Sequence, residues 1–175
     1  MGEEAVPFEV TEEYQVGDLS DVTDALPAAK DVLLSVKKVE PDIVKGRDTG
    51  AVIKRGFNVQ LSIVEGIAGE SGELGYRNKV LFHRIPYWVD TTVYASDMYT
   101  GANKAFLKPL KEFLAALGYD IKQPPKFNDE FYAAVLGKQV RGNITLREIR
   151  ALDESTGKWE GTGDKRNEVR GLKAA

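Results

Sequence analysis

At 175 residues, with 42% hydrophobic and 29% charged side chains, the chain is long enough for one domain with its own core and a short extra segment. It holds no cysteine and one histidine, which excludes disulfides, thiolate sites and zinc clusters of the Cys/His type. No apolar run approaches the ~20 residues of a membrane-spanning helix. The opening MGEEAVPFEV lacks the basic and apolar regions of a signal peptide, so a cytoplasmic protein with no membrane partner is expected.

The net charge of −3 is unevenly spread. Residues 1–24 contain eight carboxylates and no lysine or arginine, which leaves 24 basic against 19 acidic residues in the remainder. The expected organisation is an acidic arm over residues 1–26 joined to a mildly basic domain over 27–175. The arm reads as a solubilising terminus, or as a segment that competes with a polyanion or docks a partner. Asp18, Asp21 and Asp24 fall three apart, but the ligand order of a calcium loop is absent, so a solvated acidic face is the reading.

Along the chain, DVLLSVKKV (31–39) alternates as a strand, with Val32, Leu34 and Val36 on one face. EPDIVKGRDTGA reads as a loop, broken by proline and glycine. VIKRGFNVQLSIVEG is a second strand, placing Phe57, Val59, Leu61 and Ile63 on one side. A glycine-rich turn over 66–76 leads to a third strand, NKVLFHRIPYW, ended by Pro86. Helical spacing then links Phe106, Leu110, Phe113, Leu114 and Leu117 up to Gly118, with a start or kink at Pro109. A second helix over FNDEFYAAVLG has Asn128 as N-cap and Gly137 as its stop. QVRGNITLREIR is a fourth strand, and a fifth runs from about Lys165 to Lys173. The predicted fold is mainly β: a five-stranded, OB-fold-like barrel (the oligonucleotide/oligosaccharide-binding layout) with a helical insertion between strands 3 and 4.

Several phrases, taken in order, carry a resemblance. They are LPAAKDVLLSVKKVE, FNVQLSIVEG, FLAALG, VLGKQVRGNITLREI and the closing RNEVRGLKAA. Over residues 26–175 the chain resembles a phage-encoded family of single-stranded-DNA-binding proteins. In that family a leucine–glycine–lysine step, here Leu136–Lys138, opens the fourth strand. An asparagine–acid–valine–basic–glycine string, here Asn167–Gly171, closes the fifth. The segments 89–103 and 122–126 depart from the pattern. The resemblance implies single-stranded DNA as ligand, a role in phage replication or recombination with proteins of those processes as further partners, and the host-cell cytoplasm as location.

The residues offer little for catalysis. His83 reads as a surface or hydrogen-bonded strand histidine, GTG (161–163) and GESGELG (69–75) do not continue into a phosphate loop, and no serine has a nucleophile-elbow context. A non-enzyme without cofactor or metal is expected. Sequence-independent binding of single strands needs cations for phosphates and flat rings for bases. In a barrel of this type, strands 2 and 3 and loops 1–2 and 4–5 form the binding surface. The candidates are Lys45 and Arg47 after the first strand, Lys54 and Arg55 in the second, and Lys79, Arg84, Tyr87 and Trp88 in the third. Lys158 and Trp159 belong to a loop before the last strand, and Arg166 and Arg170 to that strand. Phe57 and Phe82 read as core. Trp88 is open between base contact and barrel cap, and Tyr94 and Tyr99 between a lid and local packing. Arg141 and Arg147 read as solubilising. A protein-interaction or virion-structural module, an RNA-binding OB-fold and a homo-oligomer are the alternatives that these residues leave open.

Overall fold

The computed structural model describes residues 15–19, 25–69 and 72–175. Apart from residues 15–19, 25 and 26, the expected acidic arm lies outside the described residues, as do Asp21 and Asp24.

Alternation sets the central strands. Strand β1 (Ala29–Lys45) buries Val32, Leu34 and Val36, and β2 (Val52–Ile63) buries Phe57, Val59, Leu61 and Ile63. Two short strands, β3 (Ile67–Ala68) and β4 (Leu74–Gly75), pair inside the glycine-rich turn. Strands β5 (Val80–Val89), β6 (Gln139–Asp153) and β7 (Lys158–Ala174) complete an antiparallel sheet of order β5-β2-β1-β6-β7. Between β5 and β6 lie α1 (Asp97–Thr100), a 3-10 turn (Ala105–Leu107), α2 (Lys108–Ala116) and α3 (Asp129–Ala134).

The sheet is not closed into a barrel: β5 and β7 end the hydrogen-bonded order and do not pair. Their Cα atoms still come within 8 Å, and α2 packs on both. The sheet therefore curls until its two edges face each other across a seam that α2 covers.

Both prolines expected to break strands sit inside them. Pro41 pairs with Phe57, in a part of β1 that β6 has already left, since that pairing covers only Ala29–Ser35. One edge is open there, the setting in which a strand tolerates proline. Pro86 lies in edge strand β5, opposite a register shift between Arg55 and Gly56. A Cβ at Gly56 would collide with the Ile85 carbonyl, so glycine is needed for that close approach. Pro109 occupies the first turn of α2 and starts the helix without kinking it. The Asn128 side chain caps α3, accepting the Phe131 N–H at 3.0 Å.

The core gathers around Phe57, whose ring lies 5.3–6.4 Å from those of Phe127, Phe131, Phe113, Tyr132 and Tyr87. Leu26 is tied to β7 by a two-way bond: its N–H donates to Asn167 Oδ1 at 2.7 Å, and Asn167 Nδ2 donates to its carbonyl at 2.8 Å.

The loop expected before the last strand is a hairpin instead. β6 runs to Asp153 and β7 starts at Lys158, with Gly157 N–H donating to the Asp153 carbonyl at 2.8 Å. Because β1 leaves β6 at Ala29–Ile144, this hairpin extends past the sheet. A register shift between Glu148 and Arg150 bends it, held by Thr162 Oγ1 on the Ile149 carbonyl at 2.7 Å and Gly163 N–H on Glu148 Oε1 at 3.1 Å.

Candidate nucleic-acid interface

On β5 the alternation decides which rings meet solvent. Leu81, Ile85 and Val89 are buried, while Phe82, Arg84 and Trp88 point outward. Phe82 is 61% exposed, which overturns its reading as a core residue. Its parity with Arg84 and Trp88, opposite to Leu81 and Ile85, was the signal.

Phe82 lines a groove of about 860 Å³ along the seam between β5 and β7. Four cations share the lining: Arg84 from β5, Lys108 from α2, and Arg166 and Arg170 from β7. Met98, Ala105 and Pro109 form an apolar wall, and Glu112 and Glu168 are the acids present. The groove thus combines an exposed ring with a surplus of positive charge.

Glu168 organises the β7 arginines. Its carboxylate accepts from Arg170 at 3.0 Å, Arg147 at 3.2 Å and Arg166 at 3.4 Å. Burial pushes the Glu168 pKa up, but the hydrogen bonds from Arg170 and Arg147 outweigh it and hold the carboxyl below its ordinary value. One carboxylate cannot neutralise three guanidiniums, so the cluster keeps a net positive charge with its donors pre-aimed. Arg147, read from sequence as solubilising, belongs to this cluster. His83 faces inward beside it, and burial lowers its pKa to about 4 against an opposing pull from Glu168.

A second group sits at the end of the sheet. Arg55 pairs with Trp88 across β2 and β5, and its guanidinium lies 6.0 Å from the indole. Lys54 Nζ lies 6.0 Å from the Tyr94 ring, and Lys45 at the end of β1 and Arg47 in the adjoining turn are exposed. Trp88 is 41% exposed, so it does not cap a core. Tyr94 packs on Tyr99 at 5.0 Å and Tyr99 on Phe106 at 5.6 Å, so these rings fill a local gap.

The remaining candidates lie elsewhere. Tyr87 turns inward and packs, tilted, at 5.0 Å on Phe127. Lys79 sits at the other end of β5, where its carbonyl accepts the Ile63 N–H. Lys158 and Trp159 stand near the tip of the β6–β7 hairpin, with Trp159 opposite Leu152 and 62% exposed. The structure therefore joins Arg84, Arg166 and Arg170 in one place and Lys45, Arg47, Lys54, Arg55 and Trp88 in another. It leaves the two tryptophans at opposite ends of the sheet. Sequence reading missed Phe82, Lys108, Arg147 and Glu168.

Among the described residues no group of three or more His, Asp or Glu side chains is placed to hold a metal ion, and no helix is long and apolar enough to cross a membrane. Neither the family models nor the curated proteins compared with this chain give a match.

Proposed function

We propose that this protein binds single-stranded DNA with little sequence preference, along the seam groove and the Arg55–Trp88 patch. The carrying observation is Phe82, a large ring left in solvent among Arg84, Lys108, Arg166 and Arg170. An exposed phenyl ring gains from burial and offers a π-face for stacking, and a base with its flanking phosphates meets both parts of the groove. The order of the five long strands, with the helices set between the third and fourth, supports an OB-like arrangement of the sheet. The sequence resemblance adds the setting: strand protection during phage replication or recombination, in the host cytoplasm, without catalysis or a cofactor.

The test is a titration of the full chain with labelled oligo-dT, a duplex control and an RNA of the same length at two salt concentrations. Neutralising about four to six phosphates gives a slope of log affinity on log salt of roughly −3 to −4. Preference for oligo-dT over duplex with that slope is the expected result, and indifference to all three ligands overturns it. The rival, a protein-interaction or virion-structural module, draws on the hairpin, where Leu152 and Trp159 pair on an exposed face.

A further inference from the structure

Away from the seam, the face of the sheet turned from the core carries a second depression of about 510 Å³. Its polar lining residues are Ser35, Lys37, Ser62, Arg77, Asn78 and Gln139, set beside Val36, Ile63 and Val64. Ser35 and Ser62 stand directly opposite each other across β1 and β2, and Ser35 also pairs with Gln139 of β6, so three strands fix these groups. Arg77 comes from the turn between β4 and β5. The two residues flanking it, Tyr76 and Asn78, both hold left-handed backbone with φ of 65°. That conformation is uncommon for a tyrosine, and here the turn it shapes brings Arg77 into the lining beside the serine pair.

The lining differs in kind from the seam groove. It contains two cations, two hydroxyls and two side-chain amides, and no carboxylate. Among the described residues, none of these six side chains makes an ion pair or a side-chain hydrogen bond, so their donors are uncommitted. Uncommitted donors of this type, with two positive charges and no carboxylate in the lining, match a tetrahedral oxyanion. We infer that this depression is a phosphate seat, and that it holds a phosphodiester of the strand whose bases occupy the seam groove. The second half of that inference rests on the proposed function, and the first half does not.

Two measurements separate them. In the first, inorganic phosphate is titrated into the full chain, and backbone amide shifts are followed by NMR. Saturable shifts at Ser35, Ser62 and Asn78 that vanish in a Lys37→Gln/Arg77→Gln double variant are expected. Absence of shifts at those amides overturns the seat. In the second, the same variant is titrated with oligo-dT. Loss of two contacts predicts roughly tenfold weaker binding at about 50 mM salt and a salt slope shallower by about 1.4. Unchanged affinity and slope, with the phosphate shifts intact in the parent chain, overturn the assignment to the strand and leave a seat for free phosphate or a phosphomonoester. A parent chain that does not bind oligo-dT sinks the proposed function alone, because the phosphate titration still decides the seat. Both substituted residues are exposed, and an unchanged circular dichroism spectrum confirms the fold of the variant.

Discussion

Tyr87 and Trp88 are neighbours in β5 and meet opposite fates. Tyr87 turns toward Phe127 and the rings around Phe57, while Trp88 turns outward beside Arg55. The same split runs through the strand: Leu81, His83 and Ile85 share the inner side with Tyr87, and Phe82 and Arg84 share the outer side with Trp88. One face is held by ring-on-ring packing around Phe57. The other mixes rings with cations that need an anion. The difference teaches that aromatic content alone does not mark a binding surface here; the company of each ring does.

The largest expected effect tests the inner face. Phe57 is fully buried and touches five other rings, so Phe57→Ala should cost about 3–5 kcal/mol in urea unfolding. The matching change on the outer face, Phe82→Ala, should move stability by no more than about 0.5 kcal/mol. It should weaken oligo-dT binding by about 1–3 kcal/mol, the range for one lost stacking partner. A Phe82→Ala chain that unfolds as readily as Phe57→Ala would erase the distinction between the faces.

His83 offers the next largest effect, again from inside. Burial holds its folded pKa near 4, below the ordinary 6.5, so the unfolded chain takes up a proton that the folded chain refuses. Stability from this group is fully present above pH 6.5 and is lost as pH falls toward 4, by up to about 3 kcal/mol. His83→Gln should flatten the stability profile across that window. An unaltered acid limb in the variant would place the acid sensitivity in other groups, and His83 outside the enclosed seam.

How much of this was legible follows from the same contrast. Period-two alternation gave β2 correctly, because Phe57, Val59, Leu61 and Ile63 all meet one core. The same alternation places Phe82 on the outer side, against the core preference of its residue type. Pro41 and Pro86 look like strand breaks in the sequence, which does not show that both strands have an open edge at those points. The hairpin at Lys158 was hidden by its glycines, which read as loop. They instead serve a bulge: Gly163 takes a φ of 82°, and Glu148 occupies the space a side chain at Gly161 would need. The Arg147–Glu168–Arg170 cluster depends on a cross-strand register that no local pattern reveals.

The smallest expected effect concerns the two tryptophans, and it asks how far the outer face extends. Trp88 belongs to the same strand face as Phe82, so a strand crossing the seam can reach it by continuing along β5. Trp159 lies on the part of the hairpin that has left the sheet, opposite Leu152, and the guanidinium on it, that of Arg150, is held by its backbone carbonyl at 3.1 Å. Trp88→Phe keeps a ring for stacking, so affinity should fall by less than about 1 kcal/mol while most of the oligo-dT-induced quenching of emission disappears. Trp159→Phe should leave both affinity and quenching in place. The reverse pattern would move the aromatic contact from the cation-lined face to the hairpin tip. Stacking on Trp159 would then act apart from the seam cations, and the bend at Glu148 would become the element that places the ring.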